Sequence, residues 1–138
     1  MRTRNILTCK CDTQTQYECG GLDMSTCEYA GVISIASVAL CESRHNIPGA
    51  IDGSIFPQSV DPTDVVWLER EAERIIRESG VQYLTVYVTG LTVALVAVIN
   101  ICQKVGVKLM LMHYDRDAGT YFPQEVAVWV HAQKLLRR

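Results

Sequence analysis

One stretch of the sequence, residues 83–92, constrains the fold more than any other. It reads Tyr-Leu-Thr-Val-Tyr-Val-Thr-Gly-Leu-Thr, so an alternating β-rich strand stops at a Thr-Gly pair and passes directly into an apolar helix. The first N–H groups of a helix have no intrahelical partner and carry the positive end of its dipole, so they favour an anion. In open α/β sheets, ligands also bind just beyond the carboxyl ends of the strands. We therefore expect a ligand site at Thr89, Gly90, Leu91 and Thr92. The alternative is purely structural: a glycine that allows close strand-to-helix packing and a threonine that caps the helix.

A second polar cluster, His113 to Asp117, follows the next strand, which we expect at Val107–Met112. Its imidazole, phenol, carboxylates and guanidinium can hold a phosphate or a ribose and move a proton. An Asp-Arg-Asp run is also typical of a solvated turn. If the two strands are parallel neighbours, both clusters face the same crevice. The candidate residues from this part of the chain are His113, Tyr114, Asp115 and Arg116, with Tyr121 and Gln124 one short hairpin later.

A third set of candidates opens the long loop from Ser43 to Pro62. The length of this loop suggests a functional role. Arg44 can hold an anion and His45 can act as a second acid or base, although nothing in the sequence places them near His113. The remaining histidine, His131, falls in a predicted helix and enters no site.

The helix with the clearest start and stop signals has Asp61 as N-cap, Pro62 in its first position and Gly80 just past its end. After it, a strand, an apolar helix closed by Gly106 and a second strand form a parallel β-α-β unit. The predicted elements are strand 5–11, a long loop or hairpin at 12–26, strand 54–56, helix 62–79, strand 84–88, helix 91–105, strand 107–112, strand 120–122 and helix 125–136.

The segment from Glu28 to Cys41 has two interpretations. Tyr29, Val32, Ile33 and others fall on one face of a helix, which favours a helix. Gly31 and the β-branched residues favour a strand instead. The sequence leaves both open.

Composition excludes several classes of protein. The chain has 138 residues, of which 49% are apolar and 20% charged, and we expect one domain, with a cysteine-bearing N-terminal segment at 1–30. A net charge of −2 argues against a protein that binds duplex nucleic acid. The apolar stretch Leu91–Cys102 is too short to span a membrane, and no secretion signal is recognisable at the start, so we expect a cytoplasmic protein without a membrane partner.

The six cysteines are interpreted as free thiols. Cys9, Cys11, Cys19 and Cys27 lack the knuckle spacing that is usual for structural zinc, and Cys41 and Cys102 lie in apolar patterns typical of a core. No serine-hydrolase, zincin or catalytic-cysteine motif is present. We expect neither a metal nor a cofactor.

From about Phe56 to Val126 the order of features resembles the small CRISPR-associated Rossmann-like (CARF-like) proteins, which include the stand-alone ring nucleases of type III CRISPR systems. The matching features are helix 62–79, the strand ending in Thr-Gly-Leu-Thr, the apolar helix behind it, the strand ending in His-Tyr-Asp-Arg, and the hairpin with Tyr121 and Gln124. The resemblance implies an α/β fold with a mostly parallel sheet flanked by helices and a C-terminal β-hairpin.

The resemblance also implies a function: a homodimer that binds a cyclic oligoadenylate second messenger and cleaves it without a metal, switching off type III CRISPR signalling. The ribose 2′-OH attacks the adjacent phosphate once the site orients it. Residues 89–92 would cradle phosphate, Arg116 would neutralise charge and His113 would act as acid or base, with His45 in reserve. Two alternatives remain: a non-catalytic nucleotide sensor on the same fold, and an interaction or scaffold protein of a mobile element that dimerises through Val126, Val128, Trp129 and Val130.

Overall fold

A computed structural model describes residues 1–9 and 29–127 of the chain. The fold is α/β, as expected, with one six-stranded mixed sheet and two helices in the described residues. In chain order the elements are β1 (Arg4–Cys9), β2 (Tyr29–Cys41), β3 (Ser54–Phe56), α1 (Val65–Ser79), β4 (Tyr83–Tyr87), α2 (Thr92–Val105), β5 (Lys108–Asp115) and β6 (Thr120–Val126).

Strand β2 is central to the sheet because it pairs with one antiparallel strand and two parallel strands. Antiparallel β1 pairs with its first half, and parallel β3 pairs with its last residues along the same edge. On the other edge, parallel β4 pairs with residues 35–39, β5 pairs parallel with β4, and β6 closes the order antiparallel to β5. Strands β2, β3, β4 and β5 therefore all end at the same edge of the sheet.

The segment with two interpretations is a strand. Over residues 35–38 burial alternates: Ala36 and Val38 are buried, whereas Ile35 and Ser37 are only partly buried, and from Val38 to Leu40 every residue is buried. This period of two is the strand pattern, and β-branched residues favour the extended backbone. Pairing on both edges supplies the backbone hydrogen bonds that an isolated segment would lack.

Helix α1 begins later than predicted but ends as predicted. The Asp61 carboxylate accepts from the backbone N–H of Thr63 at 2.9 Å and from its hydroxyl at 2.7 Å, which forms a turn ahead of the helix. These bonds lower the pKa of Asp61. Asp64 is the N-cap instead, accepting from the N–H of Trp67 at 3.1 Å. At the other end, Gly80 takes the left-handed conformation with φ 69°.

The predicted β-α-β unit is confirmed as β4, α2 and β5, with the two strands parallel. Helix α2 ends at Val105 and Gly106 follows it in the left-handed conformation. Helices α1 and α2 pack against each other, and the ammonium of Lys104 on α2 bridges to the carboxylate of Glu73 on α1 at 2.9 Å. Both helices therefore cover the same face of the sheet.

This arrangement gives the sheet two unlike faces. The helix face carries the core side chains of the strands, and the open face carries the alternate residues. On the helix face the buried residues of the central strands are Ala36, Val38, Leu40, Leu84, Val86, Leu109 and Leu111. On the open face the corresponding residues Ile35, Ser37, Thr85, Tyr87, Met110 and Met112 are only partly buried.

The two C-terminal strands are longer than predicted. Strand β5 continues to Asp115 and β6 continues to Val126, because the two strands pair in register from Leu109–Val126 to Asp115–Thr120. Residues 125 and 126 therefore belong to a strand and not to the predicted last helix. The rest of that helix, including His131, lies outside the described residues, as do residues 10–28. The first strand begins at Arg4, one residue earlier than predicted.

A buried aspartate fills the gap on one edge of β2 between the first residue of β1 and the first residue of β3. Asp52 is only 3% exposed, and its carboxylate accepts from the N–H of Ser37 at 2.9 Å and from Nε of Arg4 at 3.1 Å. Its own N–H donates to the carbonyl of Ser37 at 2.9 Å. Asp52 thus forms hydrogen bonds with both backbone groups of Ser37, at the position on β2 where neither β1 nor β3 pairs with it.

Candidate functional site

The segments that follow the parallel strands meet at one end of the sheet, which we call the carboxyl edge. The N–H of Cys41, the last residue of β2, donates to Oγ1 of Thr89 at 3.1 Å. The N–H of Val88 donates to the carbonyl of Met112 at 3.0 Å. The loop after β2, the Thr-Gly segment after β4 and the distal part of β5 are therefore direct neighbours.

The Thr-Gly segment leads into the N-terminus of α2, which no side chain of residues 1–9 or 29–127 caps. The N-cap residue is Leu91, which has no side-chain acceptor, and the hydroxyl of Thr89 is engaged by Cys41. The expectation that a threonine caps α2 is therefore wrong. Gly90 has φ 83°, a left-handed conformation that favours glycine, and it directs the chain from the sheet into the helix. Among the described residues, the first N–H groups of α2 therefore have no side-chain acceptor at the N-cap.

His113 lies on the helix face, because it alternates with the buried Leu109 and Leu111 along β5. Its Nε2 is 2.7 Å from Oε1 of Gln124 on β6, and its ring centroid is 5.4 Å from that of Phe122. Because the amide oxygen of Gln124 is an acceptor, this contact assigns the hydrogen to Nε2 in the neutral ring. The lone pair then resides on Nδ1, which is the nitrogen able to accept a proton.

Tyr114 points to the opposite face, because consecutive strand residues alternate. It lies with Tyr121 and Tyr87 on the open face, with ring centroids 5.2 Å apart for the pair Tyr114–Tyr121 and 4.9 Å for the pair Tyr87–Tyr121. The expectation that His113 and Tyr114 face one crevice is therefore wrong, since β5 runs through both residues. Burial raises the pKa of Tyr121, and the neighbouring tyrosines raise it further.

The end of the polar cluster forms a turn. Oδ1 of Asp115 accepts from the N–H groups of Asp117 at 3.0 Å and Ala118 at 3.3 Å, so this carboxylate stabilises the reversal between β5 and β6. Arg116 is exposed at the turn, and within residues 1–9 and 29–127 its guanidinium is in no ion pair. Asp115 is thus a turn residue, and Arg116 is a cation available to an anionic ligand.

Arg44 and His45 also reach the carboxyl edge, which the sequence could not establish. They line an open cavity of about 390 Å³. Strand β4 lies between β2 and β5, so β2, which lines this cavity, and the strand of His113 are about 10 Å apart at a strand spacing of ~4.8 Å. The remaining lining residues are Ala39, Glu42, Ser43, Asn46, Ile47, Ala50, Gly53 and Ser54.

Sequence reasoning missed Tyr87 and Gly49. A Cβ atom on Gly49 would lie 1.9 Å from the phenol oxygen of Tyr87, so a side chain there collides with the ring. The hydroxyl of Ser37 donates to the carbonyl of Gly49 at 2.6 Å and holds the loop against the open face. The alternation of Tyr83, Thr85 and Tyr87 was the one available signal for Tyr87.

Neither described buried cysteine is a nucleophile. Burial raises the pKa of Cys102 to about 12, and burial also raises that of Cys41, with only partial compensation from Thr89. Both thiols are therefore neutral near pH 7. No group of side chains suited to a metal ion occurs in the part of the chain that the structure describes. Cys11, Cys19 and Cys27 lie outside that part.

The fold and this edge define an α/β protein with a mixed sheet and a polar site at the ends of its parallel strands. No protein-family model, curated protein or solved structure matches the chain. Neither described helix has the length and apolar composition needed to cross a membrane.

Proposed function

We propose that this protein is a Rossmann-like, CARF-like ring nuclease that binds a cyclic oligoadenylate at a homodimer interface, cleaves it without a metal and so ends type III CRISPR signalling. The observation that carries the proposal is that the N-terminus of α2, where Leu91 offers no side-chain cap, and the hydrogen-bonded pair of His113 and Gln124 belong to neighbouring segments, joined by the bond from the Val88 N–H to the Met112 carbonyl. One element binds an anion and the other accepts a proton, and both adjoin the same strand ends.

Phosphate recognition rests on the backbone N–H groups at the start of α2, for which the N-cap residue Leu91 supplies no side-chain acceptor. The first N–H groups of α2 bind a phosphate oxygen, helped by the helix dipole. Arg116 and Arg44 add positive charge at two points of the carboxyl edge. A local set of donors of this kind suits a small polyanion, and it is compatible with a net charge of −2 for the whole chain.

His113 supplies the proton transfer. The ribose 2′-OH attacks the adjacent phosphorus and loses its proton to Nδ1 of His113, while the bond from phosphorus to the 5′-oxygen breaks. The products are a 2′,3′-cyclic phosphate and a 5′-hydroxyl, whose proton comes from water. The backbone N–H groups and Arg116 stabilise the charge that develops on the phosphate oxygens.

The test is a cleavage assay with cyclic tetra-adenylate and cyclic hexa-adenylate in EDTA, followed by chromatography and mass spectrometry. We expect linear products with a 2′,3′-cyclic phosphate from the wild type, and at least a 100-fold slower reaction from His113→Gln and Arg116→Gln. Lys108→Gln is the matched control, because it removes an exposed cation from the other end of β5. Equal rates in all variants would refute the assigned roles.

One observation favours a second candidate, a nucleotide sensor that binds without cleaving. The imidazole of His113 has one nitrogen engaged by Gln124, and His45 follows β2, which β4 separates from the strand of His113. Calorimetric titration that gives tight binding, with the ring recovered intact, would select the sensor.

A further inference from the structure

Three aromatic side chains on the open face form a tyrosine cluster, consisting of Tyr87, Tyr114 and Tyr121. Tyr87 meets Tyr121 nearly edge to face, at an interplanar angle of 82°, and Tyr114 meets Tyr121 at 56°. Each ring comes from a different strand, because β4, β5 and β6 are consecutive in the sheet. The sheet therefore holds all three rings in fixed relative positions.

The exposure of this cluster distinguishes it from a core. Tyr114 is 54% exposed, whereas Leu84 and Leu111 on the helix face are no more than 3% exposed. The described helices cover only the helix face, so they bury none of the three rings. Tyrosines on a sheet with an open face offer flat apolar surfaces to which a planar ring can stack.

The cluster adjoins the proposed phosphate site. Tyr87 is the last residue of β4 and precedes Thr89 by two positions. Its phenol lies against the backbone of Gly49, in the loop that also carries Arg44. Tyr114 and Tyr121 lie at the ends of β5 and β6 nearest the turn with Arg116. The tyrosine cluster and the proposed phosphate site therefore lie at the same carboxyl edge, on opposite faces of the sheet, so a cyclic ligand that spans this edge contacts both.

We propose that the tyrosine cluster is a nucleobase-stacking site in which Tyr114 carries a purine ring of the bound ligand. This inference rests on the proposed function and adds the recognition of the base to that of the phosphate. The charge of the neighbouring edge selects this occupant: Arg44 and Arg116 at the same edge as an exposed tyrosine ring match a ligand that joins an anion to a planar base. Base–aromatic stacking tolerates different bases, since every base presents a π-face.

The experiment measures binding of 2′-O-methylated cyclic tetra- and hexa-adenylate, which lack the attacking hydroxyl, with one adenine replaced by fluorescent 2-aminopurine. We expect wild type to bind and to quench the fluorophore by stacking. Tyr114→Ala should bind roughly 5- to 100-fold more weakly and lose the quenching, whereas Tyr114→Phe, which keeps the ring, should retain both. Val96→Ala is the matched control, because Val96 is also an exposed apolar side chain but lies on α2, away from the tyrosine cluster.

The outcomes separate the two proposals. If wild type binds neither ring, the proposed function fails and the stacking site fails with it. If wild type binds and Tyr114→Ala binds equally well with unchanged quenching, only the stacking site is refuted. Light scattering is measured on the same samples, and a Tyr114→Ala protein that changes from dimer to monomer while keeping its affinity would assign the cluster to subunit contact and overturn the proposal.

Discussion

The two faces of the sheet are built from alternate residues of the same strands, yet they differ in what they hold. In β4, Leu84 and Val86 point to the helices and are fully buried, while Thr85 and Tyr87 point away and remain partly exposed. The same division holds in β5 for Leu109 and Leu111 against their neighbours. A strand of five to eight residues thus stabilises the fold through one set of side chains and presents a chemical surface through the other.

The difference teaches where substitutions act. Fully burying one aliphatic side chain contributes about 1.5–3 kcal/mol, and removing part of it leaves a cavity that costs more. A partly exposed side chain on the open face contributes less to the free energy of unfolding. The helix face should therefore govern stability, and the open face should tolerate substitution unless a ligand binds there.

The largest expected effect is that of Leu84→Ala on the helix face. Leu84 is 0% exposed, so its truncation should lower the free energy of unfolding by about 2–5 kcal/mol. The measurement is urea denaturation followed by circular dichroism. Thr85→Ala, the next residue on the same strand, is the control and should cost less than about 1 kcal/mol. Equal losses from both variants would mean that the two faces are equally packed.

The next effect concerns the polar residue that is buried at the sheet edge. Asp52→Ala removes the acceptor for the N–H of Ser37 and the partner of Arg4, and should cost about 1.5–3 kcal/mol because the Ser37 N–H loses its bond. Asp61→Ala is the matched control, since that carboxylate is exposed and bonds only within its own turn. A loss for Asp52→Ala no larger than that for Asp61→Ala would show that β1 is held by its ladder alone.

The sequence predicted the elements whose signals are local. Gly80 and Gly106 fix the ends of α1 and α2 through left-handed conformations that any chain achieves most easily with glycine. The apolar run of α2 and the alternation of β4 needed no information about distant partners. The β-α-β unit, and the candidate site at residues 89–92 that depends on it, could therefore be derived from the residues themselves.

What the sequence could not predict depends on pairing between distant segments. β5 extends to Asp115 because it pairs with β6 over its whole length. His113 and Tyr114 are therefore strand residues, and their side chains point to opposite faces of the sheet. The capping role expected of a threonine failed because Thr89 bonds to Cys41, a residue 48 positions away. Asp52 is in a turn-forming sequence, and only the fold reveals that it is buried.

A smaller effect is expected from Thr89→Val, which tests the link between the ends of β2 and β4. The substitution keeps the shape of the side chain and removes the hydroxyl that accepts from Cys41, so we expect a loss of about 1 kcal/mol in the free energy of unfolding. Thr85→Val, on strand β4 just before this segment, is the control and should cause no loss. A Thr89→Val protein as stable as wild type would show that the Cys41 N–H finds another acceptor.

The smallest effect under ordinary conditions is that of the buried thiol in α2. Burial raises the pKa of Cys102 to about 12 from the 9.0 of a free thiol, so its neutral form dominates at pH 8 and should not react with iodoacetamide in the folded protein. Peptide mass spectrometry should find Cys102 alkylated only after urea is added, and alkylation in the folded state would contradict its burial.

The same thiol predicts a loss of stability at high pH. Because the pKa of Cys102 is higher in the folded than in the unfolded state, the stabilising contribution of this thiol is complete below pH 9 and is lost as the pH rises towards 12. Cys102→Ala should therefore lose less stability than wild type between pH 9 and pH 11, although it begins from a lower value because of the cavity. If the free energy of unfolding falls equally with pH in both proteins, Cys102 is not the group whose ionisation destabilises the fold. The group responsible would then lie elsewhere than on the helix face.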